Sequence, residues 1–217
     1  MDNVTVLIVA TQESDPPVGM MRLANWLATR QKTTIAVVQR GDLPVGPVAS
    51  AGVDPSSTVL LGVNAGPDRR SAIEVATASP FPVWIVPMEV ATLPRRAVLA
   101  LDFSWRSVRA AKAALDLLER PAAAHMVSVG SQLEAGTTQP HVQLLFDAVE
   151  DSLGHPADVA ITRHSLAGDV ASAILTFAKI NDADLIAIGR ASRSHTGIAQ
   201  TIVASAPCSL LIVPSPQ

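Results

Sequence analysis

The chain has 217 residues, 48% hydrophobic and 16% charged, with a net charge of −3 at pH 7. That balance excludes a disordered chain, which needs few apolar groups and a large net charge. Charge is evenly spread, residues 1–94 carrying 6 basic and 8 acidic groups and residues 95–217 carrying 10 and 11, so no basic patch points to nucleic acid or an anionic membrane as partner.

In chain order, residues 4–10 are an apolar-leaning run interrupted by Thr5, read as a strand. Residues 17–31 follow as a helix with Met20, Leu23, Ala24 and Leu27 on one face. Residues 33–38 are a second strand. Residues 41–57 are rich in Gly, Pro, Ser and Ala without a helical period and read as a loop. Then come a strand at 59–63, a short helix at 69–79 and a strand at 82–86.

The second half runs through a fuller series. Residues 97–101 are a strand, and 105–119 a helix on Val108, Ala111, Leu115 and Leu118. A strand at 124–129 leads through a polar loop to a helix at 141–153 on Val142, Leu145 and Val149, stopped by Gly154 and Pro156. A strand at 159–163, a helix at 168–180, a strand at 185–189, a short helix at 197–204 and a strand at 209–213 complete the chain.

Short apolar strands separated by helices are the pattern of an α/β protein with open, doubly wound parallel sheets of the Rossmann-like kind. The two halves read as tandem repeats of about four and five strands. Pro82-Val-Trp-Ile-Val-Pro87 corresponds to Cys208-Ser-Leu-Leu-Ile-Val-Pro214, and Val59-Leu-Leu-Gly62 to Leu185-Ile-Ala-Ile-Gly189. With one cysteine there is no intrachain disulfide. The apolar runs fall far short of the roughly 20 residues of a membrane span, and no basic region precedes an apolar core near Met1. The expectation is a soluble cytoplasmic protein.

Several segments resemble the universal stress protein family. Val98-Leu-Ala-Leu-Asp-Phe-Ser104 resembles its opening strand and Asp-x-Ser turn, and Leu166-Ala-Gly-Asp169 the start of its third helix. Ala183-Asp-Leu-Ile-Ala-Ile-Gly189 and Ala206-Pro-Cys-Ser-Leu-Leu-Ile-Val-Pro214 resemble its fourth and closing strands. The resemblance implies a reduced domain at 1–91 and a complete one at 95–217, the latter with strand order 3-2-1-4-5. It also implies pairing through the last strands, residues 83–86 with 210–213, as an intrachain pseudo-dimer; a homodimer and an unidentified protein partner stay open.

The same resemblance places a ligand crevice where the loops after Asp102 and Gly189 meet, at a topological switch point. Asp102 resembles the residue near the adenine and ribose. Val129 corresponds to the second strand's end, whose backbone faces the base. Ser104 is a helix cap that also lies in the crevice. Nucleotide-binding members carry Gly, two residues, Gly, about nine residues, then Gly-Ser or Gly-Thr, a backbone cradle for phosphates. Here the run is Gly189-Arg-Ala-Ser-Arg-Ser-His-Thr-Gly197. Its first glycine matches, Ser192 replaces the second, and Thr196-Gly197 is reversed. The loop is about six residues short, and a phosphate loop needs both reach and a permissive backbone. Arg190 and Arg193 could hold phosphate by charge instead.

Two functions therefore stand side by side. One is a non-enzymatic stress-response binding and regulatory module with a degenerate adenine-nucleotide site, requiring no cofactor. The other is a genuine ATP and Mg²⁺ binder with slow hydrolysis or phosphate transfer. The first half, with Ala10-Thr-Gln-Glu in place of the Asp turn, is expected to be structural.

The histidines show no i, i+3 or i+4 pairing, so no helix-borne metal site is visible. His195, in the crevice loop, is the one with a ligand role to weigh. Cys208 reads as an inert thiol. Trp26, Trp84 and Trp105 are expected in the core or between the halves.

Overall fold

The computed structural model describes residues 6–11, 18–31, 34–39, 58–63, 68–87, 92–130, 140–190 and 196–214. The chain divides into two compact units, Met1–Leu93 with Pro214–Gln217, and Pro94–Val213.

The first unit contains β1 (Val6–Thr11), α1 (Val18–Gln31), β2 (Thr34–Gln39), β3 (Thr58–Val63), α2 (Asp68–Ala78) and β4 (Val83–Pro87). Its strands are parallel and lie in the order β2-β1-β3-β4. Helix α1 buries Met20, Leu23, Ala24 and Leu27, the i, i+3, i+4, i+7 stripe that its sequence predicts. It lays that face on β1 and β2. At the entry to β4 the buried Ser79 hydroxyl donates to the Phe81 carbonyl and accepts from the Phe81 N–H, both at 3.0 Å. A buried hydroxyl without partners would cost about 1–3 kcal/mol.

The second unit contains β5 (Arg96–Ala100), α3 (Trp105–Leu117), β6 (Ala122–Gly130), α4 (Pro140–Leu153), β7 (Val159–Ala167), α5 (Val170–Ile180), β8 (Leu185–Gly189), α6 (Thr196–Ser205) and β9 (Ser209–Val213). All neighbours are parallel, in the order β9-β8-β5-β6-β7. Counted from β5 as the first strand, this is 3-2-1-4-5, the arrangement the resemblance implied. Right-handed crossovers put α3 and α4 on one face and α5 and α6 on the other. Helix α5 packs across β5, β6 and β7, as a connection returning from β7 to β8 must. Covered on both faces, β5 and β8 bury Ala97, Val98, Leu99, Leu185 and Ile186 completely, which is why these strands read as unbroken apolar runs.

The amino ends of β5 and β8 are locked together. One carboxylate oxygen of Asp184 accepts the backbone N–H groups of Arg95 and Arg96, at 3.0 and 2.9 Å. At the carboxyl ends, β6 and β7 stay paired through a full nine-residue ladder, from Ala122↔Val159 to Gly130↔Ala167. The strand expected at 159–163 therefore runs on to Ala167. The expected helix at 168–180 begins at Val170, because Asp169 caps it by accepting the Ser172 N–H at 2.9 Å.

Trp84 is fully buried, as expected, whereas Trp105 is 46% exposed. Trp105 opens α3 on its solvent side, and the guanidinium groups of Arg106 and Arg109 lie over its ring. No helix among the described residues is long and apolar enough to cross a membrane.

Candidate functional site

Strands β5 and β8 are neighbours, in register from Ala97↔Leu185 to Leu99↔Ala187. The chain leaves β5 for β6 on one side and β8 for β9 on the other. This divergence opens a crevice at the carboxyl ends of the strands. Asp102 lies just past β5, and Gly189 ends β8. The two tips meet. A Cβ on Gly189 would lie 2.6 Å from the Arg106 carbonyl carbon, 2.7 Å from the Ser107 nitrogen and 2.8 Å from the Arg106 oxygen. No side chain fits there, so glycine is required by the close approach of β8 to the first turn of α3.

Between β5 and α3 the chain turns through Asp102, Phe103 and Ser104. Ser104 donates to Asp102 Oδ1 twice, from its N–H at 3.0 Å and its hydroxyl at 2.6 Å. Its Oγ also accepts the Ser107 N–H at 3.4 Å, making Ser104 the N-cap of α3. Phe103 adopts φ 58°, a left-handed conformation uncommon for a bulky residue. Its ring packs edge-on against Phe146 of α4, with centroids 5.1 Å apart. Burial pushes the Asp102 carboxyl up, but the hydrogen bonds from Ser104 and Ser107 outweigh it and hold the group below its usual value. Asp102 is therefore a carboxylate at neutral pH, exposed at the mouth of the crevice.

The other expected site residues are placed as follows. Val129 lies near the end of β6, half-buried and paired with Leu166. Two residues before it, the Val127 carbonyl accepts the Leu101 N–H at 2.8 Å, binding β6 to the chain leaving β5. Arg190 is half-buried just after β8, its N–H donating to the Val213 carbonyl at 2.8 Å. Burial pushes its guanidinium down from the usual arginine value. Thr196 is the first residue of α6 and Gly197 the second. A Cβ on Gly197 would meet open space, so packing does not demand this glycine. Ser192, Arg193 and His195 lie outside the described residues, as do the turns at 12–17 and 64–67 of the first unit.

A second grouping escapes sequence reasoning. His125 on β6 and His164 on β7 are 39 residues apart, yet His125 Nδ1 and His164 Nε2 lie 3.3 Å apart. Thr162 Oγ1 lies 2.8 Å from the first and 2.9 Å from the second. The Phe177 ring of α5 rests against both imidazoles, with centroids 5.6 and 4.6 Å away. Burial lowers the His125 pKa below the ordinary histidine value, helped by His164 and Arg96 nearby, and burial lowers that of His164. Helical spacing cannot reveal a pair assembled across two strands; only the register of β6 on β7 does.

Comparison with known proteins bears on this geometry. The family model described as "Universal stress protein family" matches residues 94–214. Among solved structures, the chain is similar to a universal stress protein from Archaeoglobus fulgidus DSM 4304, with TM-score 0.64 and 16% identity over 96% of this chain and 98% of that one. It is also similar to a functionally unknown protein from Pseudomonas aeruginosa PAO1, with TM-score 0.52 and 15% identity over 98% of this chain and 83% of that one. At such identities the structural likeness speaks to the fold alone. No curated protein matches the sequence.

Proposed function

The chain belongs to the universal stress protein family, and from that membership we propose that its second unit is a binding and regulatory module with a reduced adenine-nucleotide site. The observation that carries this reading is the contact between Gly189 and the Arg106–Ser107 backbone. It seats the end of β8 against the start of α3, the helix that follows Asp102, and takes up the glycine in packing.

Asp102 is the ligand-facing acceptor in this reading. Ser104 bonds to Oδ1, and the exposed carboxylate would accept from a ribose hydroxyl as well. The backbone at Val129 faces the base. The start of α6, at Thr196 and Gly197, offers unpaired N–H groups to a phosphate, with Arg190 as a nearby cation. Only residues 190–195 connect β8 to α6. Six residues, with a single glycine at the strand end, give less backbone to wrap a triphosphate than a glycine-rich phosphate loop does. The outcome is weak binding, in the millimolar range, of an adenine nucleotide as a signal and not as a substrate. Among the described residues no histidine bonds to Ser104 or Asp102, so none of them forms a nucleophile–base–orienter chain with the Ser104 hydroxyl.

Thermal unfolding with and without Mg-ATP tests this. A ligand that binds only the folded state adds about 0.4 kcal/mol when its concentration equals Kd, so a rise in Tm of about 1 °C at millimolar Mg-ATP is expected. Asp102→Ala is expected to abolish the rise. No shift at ten times that concentration would remove the nucleotide reading. Saturation at micromolar ATP with release of phosphate would replace the proposal with a true ATP-hydrolysing site.

A further inference from the structure

We propose that His125, His164 and Thr162 form a binding site for a divalent transition cation of the zinc type, separate from the nucleotide crevice. The site lies on the α5 face of the sheet, midway along β6 and β7. Parallel register sets it: His125 is opposite Thr162 and His164 opposite Val127, so the three side chains emerge from one face.

The geometry matches a metal edge. Two imidazole nitrogens bound to one tetrahedral zinc at about 2.0–2.1 Å each are about 3.3 Å apart. His125 Nδ1 and His164 Nε2 stand at 3.3 Å already. Thr162 Oγ1, 2.8 and 2.9 Å from these atoms, is hydrogen-bonded to both and holds the two rings in place. Phe177 packs against both rings, so their orientation does not have to be gathered from free rotamers when the ion arrives. The neutral imidazole is the form that ligates.

Ligation needs a lone pair on both His125 Nδ1 and His164 Nε2, so each ring carries its proton on its other nitrogen, a choice of tautomer that releases no net proton. Among the described residues no group of three His, Cys, Asp or Glu gathers anywhere. The protein supplies two imidazoles, and water completes the tetrahedron, an open arrangement suited to Zn²⁺. The Arg96 guanidinium of β5 acts against a cation at His125, and Asp182 partly offsets it through an ion pair of 3.6 Å.

The full chain, labelled with ¹⁵N, is titrated with Zn²⁺ at pH 7.5 while the histidine ring nitrogens are followed by NMR. The first equivalent is expected to shift His125 Nδ1 and His164 Nε2 together and to leave His141 and His155 unmoved. His125→Gln and His164→Gln are each expected to weaken Zn²⁺ binding by about tenfold or more, and His155→Gln to leave it unchanged. If either site variant fails to fold by circular dichroism, the resonances of the unaltered chain decide. Rings of His125 and His164 that ignore stoichiometric Zn²⁺, shifts confined to the other histidines, or folded site variants with undiminished affinity would each overturn the proposal.

Discussion

The α-carbon of Gly189 faces the peptide backbone of Arg106, with room for hydrogen and nothing larger: a methyl carbon would sit 2.6 Å from the Arg106 carbonyl carbon. The obstacle is backbone at the start of a helix, which cannot swing aside as a side-chain tip can. One residue thus fixes how deeply α3 seats over β8.

Gly189→Ala is accordingly expected to force β8 and α3 apart, at a cost of about 1–3 kcal/mol, the range for overpacking a close-packed site. Gly197→Ala is the matched control. Gly197 is in α6, where an added Cβ meets open space, so alanine there is expected to be neutral or slightly stabilising. Urea unfolding of the two variants beside the parent chain checks this, and equal effects would contradict it.

A second expectation concerns the cap. Ser104→Ala removes the acceptor of the Ser107 N–H and the hydroxyl donor to Asp102, costing about 1 kcal/mol as N-cap losses do. The folded-state pKa of Asp102 is below its usual value. Its contribution to stability is therefore complete above the unfolded carboxylate value of about 3.9 and disappears as pH falls through the lower folded value. In Ser104→Ala the folded value rises towards the unfolded one, so this acid-side loss becomes smaller. Unfolding midpoints at about pH 6 and pH 3 for both chains measure the difference, and an unchanged pH dependence would contradict the coupling.

The order of elements in the second unit could be read from its sequence because β5 and β8 are covered on both faces and their apolar runs are uninterrupted. The tips at Asp102 and Gly189 are legible for the same reason: Asp102 follows such a run and Gly189 ends one. Edge strand β7 was not. The sequence reads as strand only over the first part of its Val-Ala-Ile-Thr-Arg-His-Ser-Leu-Ala run, to Arg163, since polar His164 and Ser165 follow, and its length is set by the ladder with β6. Cutting that strand at 163 left His164 outside it and hid its meeting with His125. Trp105 misled differently, because a large apolar side chain in the first turn of a helix is free to face solvent when arginines cover its ring.

The amino ends of β5 and β8 offer a third expectation. Asp184 Oδ2 takes both the Arg95 and Arg96 N–H groups, and hydrogen bonds to a charged acceptor contribute about 1.5–3 kcal/mol. Asp184→Ala is expected to lose stability in that range, discounted for the partial solvent access of the site. Asp184→Asn keeps a carbonyl oxygen in place and is expected to lose less. Hydrogen exchange of the Arg95 and Arg96 amides provides a local readout. Faster exchange in Asp184→Ala, without a matching change at β7, is the expected pattern.

The fourth expectation arises at Phe103, where a left-handed backbone of φ 58° carries an aromatic side chain. That conformation costs a residue with a Cβ about 1–2 kcal/mol, and the edge-on contact with Phe146 offsets about 0.5–1.5 kcal/mol of it. Phe103→Ala loses the contact and keeps the backbone cost, whereas Phe103→Gly loses the contact and sheds the cost. Glycine is therefore expected to be the more stable of the two by about 1 kcal/mol, despite its greater freedom when unfolded. The ring also anchors the turn that presents Asp102 to Ser104. Glycine leaves that turn mobile, so any rise in Tm with Mg-ATP should shrink in Phe103→Gly, because ordering the turn then draws on binding energy. A glycine variant less stable than alanine would show that the phenylalanine sits there without backbone strain.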